Sequence, residues 1–230
     1  MSRLSNLRVQ TRFIISIVLT ALILAAEIIG GILSGSLALL SDAAHVFSDI
    51  FALGLSYFAL RLSLRPPDDR HSYGWRRAEV IAALVNGSSL VVIAVGIWVE
   101  AFKRWQSPVE IKSTPMLVIA VIGLLINVVV AFILGGHDHD HSPRGKSPTR
   151  NLNVHSAFLH VIGDLISSVG VIAAALIIRF TGANWVDPLI SIIIGVIILV
   201  SAWRVLRKSL HILIEGVPEG LSILQLNKEI

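Results

Sequence analysis

Six apolar stretches, each long enough to cross a bilayer, constrain this chain more than any other feature. A membrane-spanning helix needs about 20 mostly apolar residues. The stretches run from Phe13 to Leu33, Leu37 to Leu60, Val80 to Phe102, Met116 to Leu134, Leu152 to Ile178 and Val186 to Leu206. The first is too long for the apolar part of a signal peptide, and a second span follows it almost at once, so it is read as retained. Composition agrees: 54% of residues are hydrophobic and 15% charged, against about 25% charged in a soluble domain. A disordered chain, a disulfide scaffold and a soluble nucleic-acid binder are thereby excluded. The expected fold is an all-α integral membrane protein with six transmembrane helices.

The pI near 9.9 does not imply a nucleic-acid partner. The net charge is only +4, and the basic residues lie between the apolar stretches, where they report topology. With the N-terminus placed in the cytoplasm, 15 of the 19 Lys and Arg residues fall in inside segments. Lys103, Arg104, Lys112 and Arg179 are the four outside. Both termini are therefore expected to be cytoplasmic, together with the polar loop from Gly135 to Arg150. No targeting segment stands out, which suggests a bacterial inner membrane, or a vesicle membrane in a eukaryotic cell. Cysteine is absent, so there is neither a disulfide framework nor a thiolate metal site. Turn signals separate the spans: Ser34-Gly35-Ser36, Pro66-Pro67, Ser113-Thr114-Pro115 and Asp187-Pro188.

Ionisable groups inside spans are costly, about 2.5–3.5 kcal/mol each on insertion scales, so each is a functional hypothesis. Span two holds Asp42, His45 and Asp49, and span five holds His160 and Asp164. Both spans carry the pattern H-x-x-x-D. Residues four apart share a helix face, about 6 Å apart along the axis. Two such helices face to face offer two imidazole nitrogens and two carboxylates, a set suited to tetrahedral Zn²⁺ or a similar cation. A single pair would be read equally well as an internal hydrogen bond or a contact between helices. Two identical pairs on two spans favour the metal. Each His lies eight residues into its span, near the bilayer middle, where secondary transporters hold substrate. Imidazole and carboxylate must lose protons to bind metal, so metal and proton compete for the same groups. That competition is the minimum chemistry of a metal/proton exchanger.

These residues sit in longer segments that resemble the zinc-exporting branch of the cation diffusion facilitator family. The segments are Ser36-Leu-Ala-Leu-Leu-Ser-Asp-Ala-Ala-His-Val-Phe-Ser-Asp49, Tyr73-Gly-Trp-Arg-Arg-Ala-Glu79, Ala157-Phe-Leu-His-Val-Ile-Gly-Asp164 and Glu215-Gly-Val-Pro-Glu-Gly220. The resemblance covers essentially the whole chain. It implies a secondary transporter, not an enzyme, that exports Zn²⁺, often Cd²⁺ too, in exchange for protons. On it the transport site maps to His45, Asp49, His160 and Asp164. A His on span two goes with zinc and cadmium in that family, which favours zinc here. Zn²⁺ is then the transported substrate, and no prosthetic group is expected. The resemblance also implies a cytoplasmic domain that binds metal and helps form a homodimer in the full-length protein. On that reading residues 1–208 are the transport domain. Residues 209–230 are the linker and start of a truncated C-terminal domain, whether by fragment or natural truncation.

Other polar residues have secondary roles. His137, His139 and His141 could collect metal from the cytoplasm, or could simply be solvated. Asp42 either lines the access path or accepts a helix–helix hydrogen bond, and the second is preferred. His155 is expected at the interface. Glu27, Asn86 and Asn127 are expected in interhelical bonds, and Trp98, Trp105, Trp185 and Trp203 as interfacial anchors. An intramembrane zinc hydrolase would want H-E-x-x-H, which the sequence lacks. A membrane metal sensor without net transport remains the alternative.

Overall fold

The computed structural model describes residues 2–66, 75, 77–135 and 148–216, with side chains over 15–66, 75, 77–130, 132 and 163–216. The described residues form six helices: α1 Ser2–Ser34, α2 Leu37–Ser63, α3 Ala78–Gln106, α4 Ser113–Gly135, α5 Pro148–Thr181 and α6 Val186–Leu213. Each contains a window long and apolar enough to span a membrane. The protein is an all-α membrane protein, as the hydropathy pattern requires. The helices outrun the apolar windows, because α1 and α5 begin with polar turns ahead of the spans. Pro148 opens α5, where its fixed φ and missing N–H cost nothing.

The burial pattern is that of a protein dissolved in lipid. Large apolar side chains such as Phe58, Phe132 and Phe180 are exposed, while Glu27, Asp42, His45, Ser167, Ser168 and Asp187 are buried. Polar groups in hydrocarbon must find partners within the protein. Small residues allow the close approach that this needs.

The chain divides into two compact units, Met1–Phe47 with Ile93–Ile197, and Ser48–Val92 with Ile198–Ile230. In the first unit, α4 packs against α1 and α5. The α1–α2 turn rests on Gly35, whose φ of 74° suits a residue without Cβ. Ser36 caps α2: its hydroxyl accepts from the Leu39 N–H at 3.1 Å. Trp98 packs against α6. Its indole N–H donates to the Ile192 carbonyl at 3.2 Å. Gly195, one turn farther along α6, leaves room for that indole, since a Cβ there would lie 2.5 Å from Nε1. Trp105 and Trp185, both exposed, meet edge to face at 6.3 Å, which suits a membrane interface.

The second unit holds the other ends of α2, α3 and α6. Ser63 donates to Glu79 at 2.8 Å, joining α2 to α3. Gly87 on α3 lets Leu206 of α6 approach, since a Cβ at Gly87 would lie 2.8 Å from Leu206 Cγ. After α6 the Gly216 N–H bonds the His211 carbonyl at 2.9 Å and the Glu215 N–H bonds that of Ile212 at 3.1 Å. This is a Schellman stop with Glu215, φ 59°, where glycine is usual. Arg77 pairs with Glu215 at 2.5 Å, and both side chains are largely exposed. Exposed pairs are screened and contribute little. Arg77→Ala is expected to change stability by under about 0.5 kcal/mol, read as an unchanged unfolding midpoint in detergent.

Candidate metal centre

Two helices bring the candidate ligands together. Along α2, His45 and Asp49 lie about 12 and about 18 Å from the helix start, on one face. The helix runs without interruption through the boundary between the units, so the backbone itself fixes Asp49 one turn beyond His45. Across from them, Asp164 extends from α5. His45 Nε2 lies 3.0 Å from Asp164 Oδ1. His45 is buried, whereas the Asp164 side chain is 31% exposed. One ligand atom from each of His45, Asp49 and Asp164 falls within 4.8 Å of the others.

A tetrahedral zinc ion with ligands near 2.1 Å has ligand–ligand edges of about 3.4 Å. The His45–Asp164 separation is already close to such an edge. The widest separation closes by little more than about 1 Å, within the reach of carboxylate rotamers. The charges also suit a divalent ion. Two carboxylates neutralise Zn²⁺, which a low-dielectric setting strongly favours over a residual charge.

His160 belongs to α5, one turn before Asp164, but its side chain lies outside the described residues. So do His155 and the loop histidines His137, His139 and His141. Asp42 is described and nearly fully buried. It accepts a short hydrogen bond from the Ser167 hydroxyl and a second from Ser168 at 3.3 Å. The Ser167 hydroxyl also lies 3.2 Å from the Asp164 carbonyl oxygen. Of the two roles expected for Asp42, the geometry supplies the helix–helix bond. It fastens α2 to α5 one turn from His45 and Asp164, so it holds the two helix faces in register.

Sequence reasoning missed a second acid that acts on α2. Asp187, in the first turn of α6, is fully buried. One carboxylate oxygen accepts from the Ser36 hydroxyl at 2.6 Å and the Ala38 N–H at 3.1 Å; the other accepts from the Leu37 N–H at 2.8 Å. Helix N-termini leave unpaired N–H groups and a partial positive charge, and this carboxylate answers both. Arg104 of α3 donates to the Gly35 carbonyl at 2.5 Å and lies 3.9 Å from Asp187. The available signal was an acid at the mouth of an otherwise apolar span, read only as a helix start.

A family model described as the cation efflux transmembrane domain matches residues 13–214. The chain is 42% identical over 219 residues to the zinc transporter ZitB of Pectobacterium atrosepticum, covering 95% of this chain and 66% of that protein. It is 42% identical over 216 residues to the metal cation efflux system protein CzcD of Cupriavidus metallidurans, 94% of this chain and 65% of that one. It is 40% identical over 210 residues to the cadmium, cobalt and zinc/H(+)-K(+) antiporter of Bacillus subtilis, 91% of this chain and 65% of that one. The chain thus spans about two thirds of the length of these curated relatives. With the family match, the six spans and the buried acids together, the chain belongs to the cation efflux family, a family of multi-pass membrane transporters rather than enzymes.

Proposed function

We propose that this protein exports Zn²⁺, and Cd²⁺ with it, from the cytoplasm in exchange for protons. The site is His45 and Asp49 of α2 with Asp164 of α5, completed by His160. The observation that carries the reading is the convergence of His45, Asp49 and Asp164 donor atoms within 4.8 Å. The relatives' names support it, since they speak of zinc, cadmium and cobalt, and one of an H(+)-K(+) antiporter. The charge bias of the loops supports cytoplasmic termini, and the bacterial relatives favour an inner membrane.

The mechanism follows from charge. Zn²⁺ enters from the cytoplasm and takes the place of protons on the two carboxylates and the imidazoles. The loaded site is neutral, which permits the helices to shift and open outward. Protons from outside then displace the metal. Two protons per Zn²⁺ make the cycle electrically neutral; one would move net charge, at about 2.3 kcal/mol per charge per 100 mV.

The test is zinc flux into sealed proteoliposomes loaded with a zinc-sensitive dye, with and without a pH gradient. Gradient-dependent flux is expected in the unmodified chain, falling to the leak rate in His45→Ala. Zinc binding with no flux under any gradient would overturn transport and leave a membrane metal sensor.

A further inference from the structure

Glu27 of α1 is 1% exposed and lies within a span. Its Oε2 has no hydrogen-bond partner among the described residues. An interhelical bond was expected at this position, and none serves that oxygen. The space around the carboxyl is made by α4: a Cβ on Gly123 would lie 2.8 Å from Glu27 Oε1 and 3.3 Å from Ile23. The helix thus gives up a side chain at the point where the acid is housed. No charged residue lies on α4 between Ser113 and Gly135. On α2, Asp42 is the charged group felt at Glu27. Asp42 in turn is held by Ser167 and Ser168, and feels His45 and Asp164.

A carboxyl in this setting has two ways to avoid an unpaired charge: hold a proton, or sit near a cation. In the same unit Asp42 accepts from Ser167 and Ser168, and the Ser167 hydroxyl lies 3.2 Å from the Asp164 carbonyl oxygen, so polar groups lead from Asp42 to the metal centre. We propose that Glu27 is a proton-binding group of the exchange cycle, separate from the metal ligands. It holds one proton while the metal centre holds no metal. In the metal-free centre the two ligand carboxylates share one proton, so Zn²⁺ binding raises the charge of the centre by one, and the Glu27 proton leaves to water as H⁺, leaving the carboxylate. When the metal departs, one proton from the outer side returns to the same oxygen pair. Each turnover then carries one proton on Glu27 beside those exchanged on the ligands. The inference rests on the proton-exchange reading above.

The test is Glu27→Gln, which keeps the shape and removes the proton chemistry. Three readouts in the same proteoliposomes or detergent are compared with the unmodified chain. Zinc affinity by calorimetry is expected to stay within about threefold. Protons released per zinc bound, from calorimetry in buffers of different ionisation heat, are expected to fall by about one. Zinc flux driven by a pH gradient is expected to fall about tenfold or more, and Glu27→Asp is expected to recover part of it. Unchanged proton release and unchanged flux in Glu27→Gln would overturn the proposal. Loss of zinc binding together with flux would also overturn it, by assigning Glu27 to folding. Failure of the parent reading is separate, because it would appear as absent gradient-driven flux in the unmodified chain.

Discussion

Asp164→Ala is expected to lower zinc affinity about 100-fold and to reduce gradient-driven flux to the leak rate. In the proposed site, Zn²⁺ is neutralised by Asp49 and Asp164. Removing one carboxylate leaves a unit positive charge inside the membrane, at about 2.5–3.5 kcal/mol on insertion scales. That alone amounts to about two orders of magnitude in affinity. The variant also removes the group 3.0 Å from His45 Nε2, so the imidazole loses the contact that orients it. Asp164→Asn serves as the shape control. Its amide keeps the volume but lacks the charge, so it is expected to fall nearly as far as alanine. The Asp164 side chain is 31% exposed, so the fold is expected to survive, and circular dichroism checks this. A variant that folds and still binds zinc within threefold of the unmodified chain would remove Asp164 from the ligand set.

Asp187→Ala is expected to be the most destabilising single change in the first unit, by roughly 3–5 kcal/mol. The carboxylate is fully buried and accepts three hydrogen bonds at the start of α2. Its loss strands the N–H groups of Leu37 and Ala38, each at about 1–3 kcal/mol when buried. It also deprives Arg104, 15% exposed, of its neighbouring negative charge. Asp187→Asn keeps acceptor capacity on one atom only and is expected to recover less than half of the loss. The direct measurement is amide hydrogen exchange, in which Leu37 and Ala38 are expected to lose protection before the rest of α2. A secondary effect is expected at the metal centre, because His45 lies two turns along the helix that Asp187 anchors. Unchanged exchange at the α2 start would show that the capping contacts contribute little.

Much of this protein was legible in the sequence for local reasons. The length of each apolar run sets whether a helix can span, and the six runs correspond to α1 through α6. The α-helical repeat puts His45 and Asp49 on one face whatever the rest of the chain does. The Gly35 turn and the Pro148 start are equally local, since they depend on φ preferences of one residue. The partner of the Trp98 indole was not legible, because it lies on α6, where Gly195 admits the ring and the Ile192 carbonyl accepts its N–H. Glu27 and Asn86 were expected to find partners. Glu27 Oε2 and Asn86 Oδ1 have none among the described residues.

What the sequence by itself determined is the set of spans, their polar faces and the chemistry of each candidate ligand, because hydropathy and helix pitch act over a few residues. Only the tertiary structure decided which faces meet. His45 meets Asp164 from 119 residues away, Asp42 takes Ser167 and Ser168 as partners, and Asp187 closes the α2 N-terminus across 150 residues. Such pairings depend on how helices pack around buried polar groups. In a lipid setting that packing is chosen by the need to satisfy every buried donor and acceptor at once, a condition no single helix can express.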